Sequence, residues 1–128
     1  METSNEPIIE VIRTNGRLST IKVIMPTWNE LGEDNKIYTK MPMLGGLITY
    51  AIDELDADIA VREAIHCFCI ASEKFGIGLE NELMRIGWNI VSEIENHTVL
   101  SIHSEMPAFE FMLETGDTKA LDIELEAA

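Results

Sequence analysis

The chain has 128 residues, enough for one domain of ordinary size and too few for two. Its 46% hydrophobic content with only 4 Pro and 8 Gly excludes disordered and collagen-like chains. Lys and Arg number 9 against 23 Asp and Glu, a net charge of −14 that repels phosphate backbones and argues against direct nucleic-acid binding. Along the chain, residues 1–7 are polar and expected to fray. Ile8 to Arg13 is then a β-branched run, and Thr14-Asn15-Gly16-Arg17 carries the Asn-Gly pair of tight hairpins. The return arm, Ser19 to Met25, is expected to stop at Pro26. Turn chemistry over Glu30 to Asn35 precedes two more extended runs, Ile37 to Met41 and Leu47 to Ile52, separated by Gly45-Gly46. Up to four antiparallel strands thus come before the first helix.

That helix is expected from Asp58 to Phe75, where Val61, Ala64, Ile65, Phe68, Ala71 and Phe75 recur at helical spacing. Asp56 or Asp58 can cap its start and Gly76 can end it. Ile59, Cys67 and Ile70 widen the apolar stripe, so the helix should be covered on more than one side, by the C-terminal part of the chain or by another subunit. Residues 76–128 hold eleven acidic side chains against Arg85 and Lys119. Here Leu79 to Ile86 reads as a short helix ending at Gly87-Trp88, Thr98 to Ile102 as a strand, and Pro107 as the first residue of a helix that Gly116 stops. Ala120 to Glu126 alternates as a half-buried strand presenting Asp122, Glu124 and Glu126 on one face. The expected class is α+β: an antiparallel three- to four-stranded sheet packed by one main helix, with an acidic helix and strand extension.

Two cysteines, Cys67 and Cys69, cannot build a disulfide framework and suit a reducing cytoplasm. The first residues lack the basic start and apolar stretch of a signal peptide, and no apolar run approaches a membrane span. His66-Cys67-Phe68-Cys69 has zinc-ligand residue types but no second pair at ligand spacing, so no metal or cofactor is expected. Neighbouring positions 66 and 67 diverge by about 100° on a helix, which does not assemble a Cys–His nucleophile. Gly45-Gly46 and Gly76-Ile77-Gly78 lack the endings of phosphate loops and read as turns. Asp53, Glu54, Asp56 and Asp58 crowd a helix start, where the macrodipole favours anions, yet four carboxylates exceed what capping uses. Their surplus role is expected to be contact with a basic protein, through complementary charge.

The run from Ile21 to Phe75 resembles the HicB-like antitoxin domain. The resemblance rests on the acidic turn Gly32-Glu33-Asp34-Asn35, the corner Pro42-Met43-Leu44-Gly45-Gly46, the third strand with Thr49, and Arg62-Glu63-Ala64-Ile65 in the helix. It implies a partial ribonuclease-H-like β-β-β-α unit without a working active site. The function it implies is neutralisation, in the cytoplasm, of a small basic mRNA-cleaving toxin of the HicA type. By position and charge, Glu33, Asp34, Asp53, Glu54 and Asp56 are the candidates for that contact. Many members of the family also carry an operator-binding domain, which needs a basic footprint that residues 76–128 lack. A homo-oligomer that is not an enzyme is therefore the expectation. An orphan protein-binding module and a metal-dependent enzyme built on the acidic cluster are the alternatives.

Overall fold

The Asn15-Gly16 pair forms the expected tight hairpin. Both residues take positive φ (54° and 82°), as a two-residue turn matching strand twist requires, and Gly16 does so without a Cβ penalty. The turn joins β1 (Ile8–Thr14) to β2 (Arg17–Leu31). In this computed structural model, which describes residues 6–104 and 107–125, β3 (Ile37–Met41), β4 (Leu47–Ala51) and α1 (Glu54–Lys74) follow. The rest of the chain forms α2 (Leu79–Arg85), β5 (Trp88–Ile94), β6 (His97–Ile102), α3 (Pro107–Thr115) and β7 (Asp117–Glu124). The corner between β3 and β4 is a 3-10 turn, Pro42–Leu44.

All seven strands join one antiparallel sheet, in the order β4-β3-β2-β1-β6-β5, with β7 also paired to β2. This overturns the expected three- to four-stranded sheet with one main helix: the described residues form three α-helices, and the strands after α1 belong to the sheet. The reason is long-range pairing. Ile9 of β1 lies opposite Leu100 of β6 and Ile21 of β2 opposite Ile123 of β7, and local periodicity says that a segment is extended without saying what it pairs with.

Three boundaries also differ from expectation. The strand expected to stop at Pro26 runs on to Leu31. Pairing with β1 ends at Ile24 and pairing with β3 begins at Trp28, so Pro26 sits where β2 has only β7 beside it and a missing N–H is tolerated. Trp88 opens a strand rather than closing a helix; the bulge between Ile90 and Ser92 breaks the alternation by which β5 could be read. The main helix starts at Glu54, capped by Asp53, earlier than Asp58. Pro107 and Gly116 bound α3 as expected, and β7 leaves Asp122 and Glu124 exposed while burying Ile123. Of the residues expected to fray, 1–5 lie outside the described residues, whereas Pro7 is buried and its carbonyl accepts a 2.8 Å hydrogen bond from Ser101.

The core lies between the sheet and the two helices α1 and α2. It joins Ile9, Val11, Ile21 and Val23 of the hairpin to Val61, Ile65 and Cys69 of α1, and to Leu79 and Leu83 of α2. Each such side chain contributes about 1.5–3 kcal/mol on burial. Trp88, also buried, donates its indole N–H to the Met43 carbonyl at 2.7 Å, pinning β5 to the corner before β4. Arg13 supplies a polar tie. The bulge between Ile12 and Arg13 re-aims this side chain, whose guanidinium donates to both oxygens of Glu73 (2.9 and 3.0 Å) and of Glu80 (2.6 and 3.0 Å). The hairpin is thereby clamped to the end of α1 and the start of α2.

Candidate functional site

The five carboxylates singled out in the sequence fall at one end of the β2-β3-β4 meander. Leu31 pairs with Ile37 and Ile37 with Ala51, so the turn after β2 and the segment entering α1 leave the sheet from the same row. Two strand spacings, about 10 Å, separate the ladders. Glu33 and Asp34 stand on the turn, and Asp53, Glu54 and Asp56 at the helix start; all five are exposed. Lys36, which lies over the Tyr50 ring at 4.8 Å, is the cation in this turn.

Their local roles differ. Asp34 shapes its turn: one carboxylate oxygen accepts from the Lys36 N–H at 3.1 Å and the other from the Tyr38 hydroxyl at 2.7 Å. The Tyr38 hydrogen bond holds the Asp34 carboxyl below its ordinary value and raises the Tyr38 phenol above its own. A Cβ at position 32 would lie 2.6 Å from the Tyr38 ring and 2.8 Å from an Asp34 carboxylate oxygen, so a larger residue there would displace the Tyr38–Asp34 pair. Asp53 is the N-cap of α1, accepting from the Asp56 N–H at 2.9 Å. Asp58, beyond the five, is neutralised by Lys119 of β7 at 2.9 Å. Glu33, Glu54 and Asp56 have no side-chain partner among the described residues. Of the acidic group at the helix start, Glu54 and Asp56 are therefore the carboxylates left over for another molecule.

Apolar side chains stand among these charges, and the sequence reading missed them. Leu31 is 70% exposed, Ile52 75% and Leu55 75%. The buried stripe of α1 runs through Ala57, Val61, Ile65, Cys69 and Ser72. Leu55 and Ile59 are four residues apart and each is two positions off that stripe, which places them on the opposite side of the helix. Their offset is a signal that becomes readable once the helix start is set at Glu54. Within the chain α1 is covered on its core side only: Ile59 and Cys67, expected to widen the buried stripe, stay exposed, Ile59 beside β7, where Arg62 donates to the Asp122 carbonyl at 2.6 Å, so the C-terminal part of the chain does not supply the expected second cover.

The thiols lie apart from this surface. Cys69 is buried, which pushes its thiol up to about 12 and keeps it protonated, and Cys67 is exposed. Among the described residues no three His, Cys, Asp or Glu side chains converge as a metal site, and no helix is long and apolar enough to cross a membrane. No family model, curated protein or solved structure matches the chain.

Proposed function

We propose that this chain is a cytoplasmic, homo-oligomeric binding protein that neutralises a small basic protein, with an mRNA-cleaving toxin of the HicA type as the partner class. The observation that carries the reading is the convergence at one end of the meander of Glu33, Asp34, Asp53, Glu54 and Asp56 with the exposed Leu31, Ile52 and Leu55. Apolar anchors inside a charged rim are the composition of a protein interface: the anchors supply affinity on desolvation, and the carboxylates steer a cationic partner and fix its register. Placed on an RNA-cleaving protein, such a surface would occupy the Lys and Arg side chains that otherwise hold phosphate. The free thiols Cys67 and Cys69 suit a reducing compartment.

The test titrates against the chain a purified small basic protein encoded by any open reading frame that adjoins this coding sequence. Binding should weaken with rising salt and fall at least about tenfold in Glu54→Lys/Asp56→Lys, a loss of about 1.4 kcal/mol. Asp53 is left intact because its replacement would also remove the helix cap. Absence of binding, or an affinity that the double variant leaves unchanged, would reject the assignment.

A further inference from the structure

Among the described residues three strands have a side without a neighbouring strand: β4 and β5 end the six-strand path, and β7 is paired there with β2 alone. Two of these edges are guarded. β5 is bulged between Ile90 and Ser92 and carries Glu93, and β7 carries Asp117, Lys119, Asp122 and Glu124. β4, Leu47-Ile48-Thr49-Tyr50-Ala51, has no charge, no proline and an unbroken register with β3. An edge of that kind is a template for another strand. Its outward side chains are apolar and open, Ile48 55% and Tyr50 56% exposed.

We infer that β4 is a dimerisation edge on which a second copy of this chain lays its own β4 antiparallel, extending the sheet across a two-fold axis. This rests on the homo-oligomer part of the proposal above and is independent of the basic partner. The strand is self-complementary. A two-fold axis at Thr49 is the one same-face register that pairs all five residues, and it sets Ile48 opposite Tyr50 of the second copy and Leu47 opposite its Ala51. A β-branched residue facing an aromatic one is a favourable cross-strand pair.

Charge selects the same place. Two copies at −14 each repel, so they can meet only where carboxylates are compensated or distant. Beside β4, Lys36 covers Tyr50, and Lys40 is paired with Glu30 at 2.7 Å. Antiparallel pairing also sends the two Asp53-Glu54 ends to opposite ends of the joint: the two Ala51 positions that precede them are already four residue steps, about 14 Å, apart. Ile48, Tyr50 and a five-residue strand edge make a joint smaller than the roughly 800 Å² per partner of a standard interface, so the dimer is a weak one that grows with protein concentration and strengthens as salt screens the repulsion.

Light scattering on size-fractionated full-length chain, across protein concentration and at low and high salt, tests this. The mass should rise toward twice that of the chain with both variables, and Ile48→Lys should raise the dissociation constant at least about tenfold while keeping the parental circular-dichroism spectrum. Thr49→Cys in a Cys67→Ser background should link two copies by a disulfide, since directly opposed residues of antiparallel strands have Cα atoms about 4.5–5.5 Å apart. A monomer at every concentration would overturn both the edge and the homo-oligomer reading. A dimer that Ile48→Lys leaves intact and Thr49→Cys does not cross-link would overturn the edge alone.

Discussion

Replacing Arg13 by Ala should be among the most damaging single changes outside the apolar core. The guanidinium is 17% exposed and its two carboxylate partners, Glu73 and Glu80, 22% and 20%, with four N–H···O contacts of 2.6 to 3.0 Å between them. Glu73 also accepts from the Leu79 N–H at 3.1 Å, so it cannot swing away without uncapping the start of α2. Removing one member of a fully buried pair costs about 3–5 kcal/mol. Residual solvent at all three groups places this cluster lower, at about 2–3 kcal/mol, which for a chain of this length is a fall in Tm of about 8–12 °C. Glu80→Gln leaves Arg13 paired with Glu73 and should cost about 1 kcal/mol. Urea unfolding at neutral pH, followed by the fluorescence of the buried Trp88, measures both. A loss below about 0.5 kcal/mol for Arg13→Ala would mean that the clamp between hairpin and helices does not hold the fold together.

The same cluster sets an acid dependence. Hydrogen bonding to Arg13 holds the Glu73 carboxyl below its ordinary value, so its stabilisation is complete above the usual carboxylate range of about 4 and is lost as pH falls through the lowered value. In Arg13→Ala that hydrogen bonding is gone, and the variant should lose less stability than the parent as pH falls from about 5 to about 3; parallel melting curves across that range would contradict this. The orientation of α1 is checked by a pair of truncations. Ile65→Ala, at a buried position, should cost about 3 kcal/mol, and Ile59→Ala, at an exposed one, less than about 0.5 kcal/mol by the same urea assay. Similar losses for the two would place the buried stripe wrongly.

What the sequence made legible follows from how local the determinants are. Asn15-Gly16 dictates its turn by φ preference alone, Pro107 and Gly116 bound α3 by what they cannot do within a helix, and Val61, Ile65 and Cys69 mark the buried side of α1 by spacing. The sheet was not legible in the same way. β6 finds β1 and β7 finds β2 across most of the chain, and those choices depend on three-dimensional packing that no window of residues contains. β5 was hidden by its bulge and the second half of β2 by Pro26. At the candidate site, charge density pointed to the five acidic residues, but Asp53, Asp56 and Asp58 are chemically equal as caps. The choice fell to chain entry: pairing with β3 ends at Ala51, leaving two residues before the first turn of the helix. With the start misplaced, Leu55 could not be assigned to a side of the helix, and the apolar part of the surface went unread.

Neutralisation of a small basic protein by the acidic and apolar end of the meander is read out by a growth assay. A small open reading frame found adjoining this coding sequence is expressed alone, together with the chain, and together with Glu54→Lys/Asp56→Lys. Growth should stop with the neighbour alone, recover with the parental chain, and not recover with a folded double variant. A neighbour that leaves growth untouched, or a double variant that rescues as well as the parent, would contradict it.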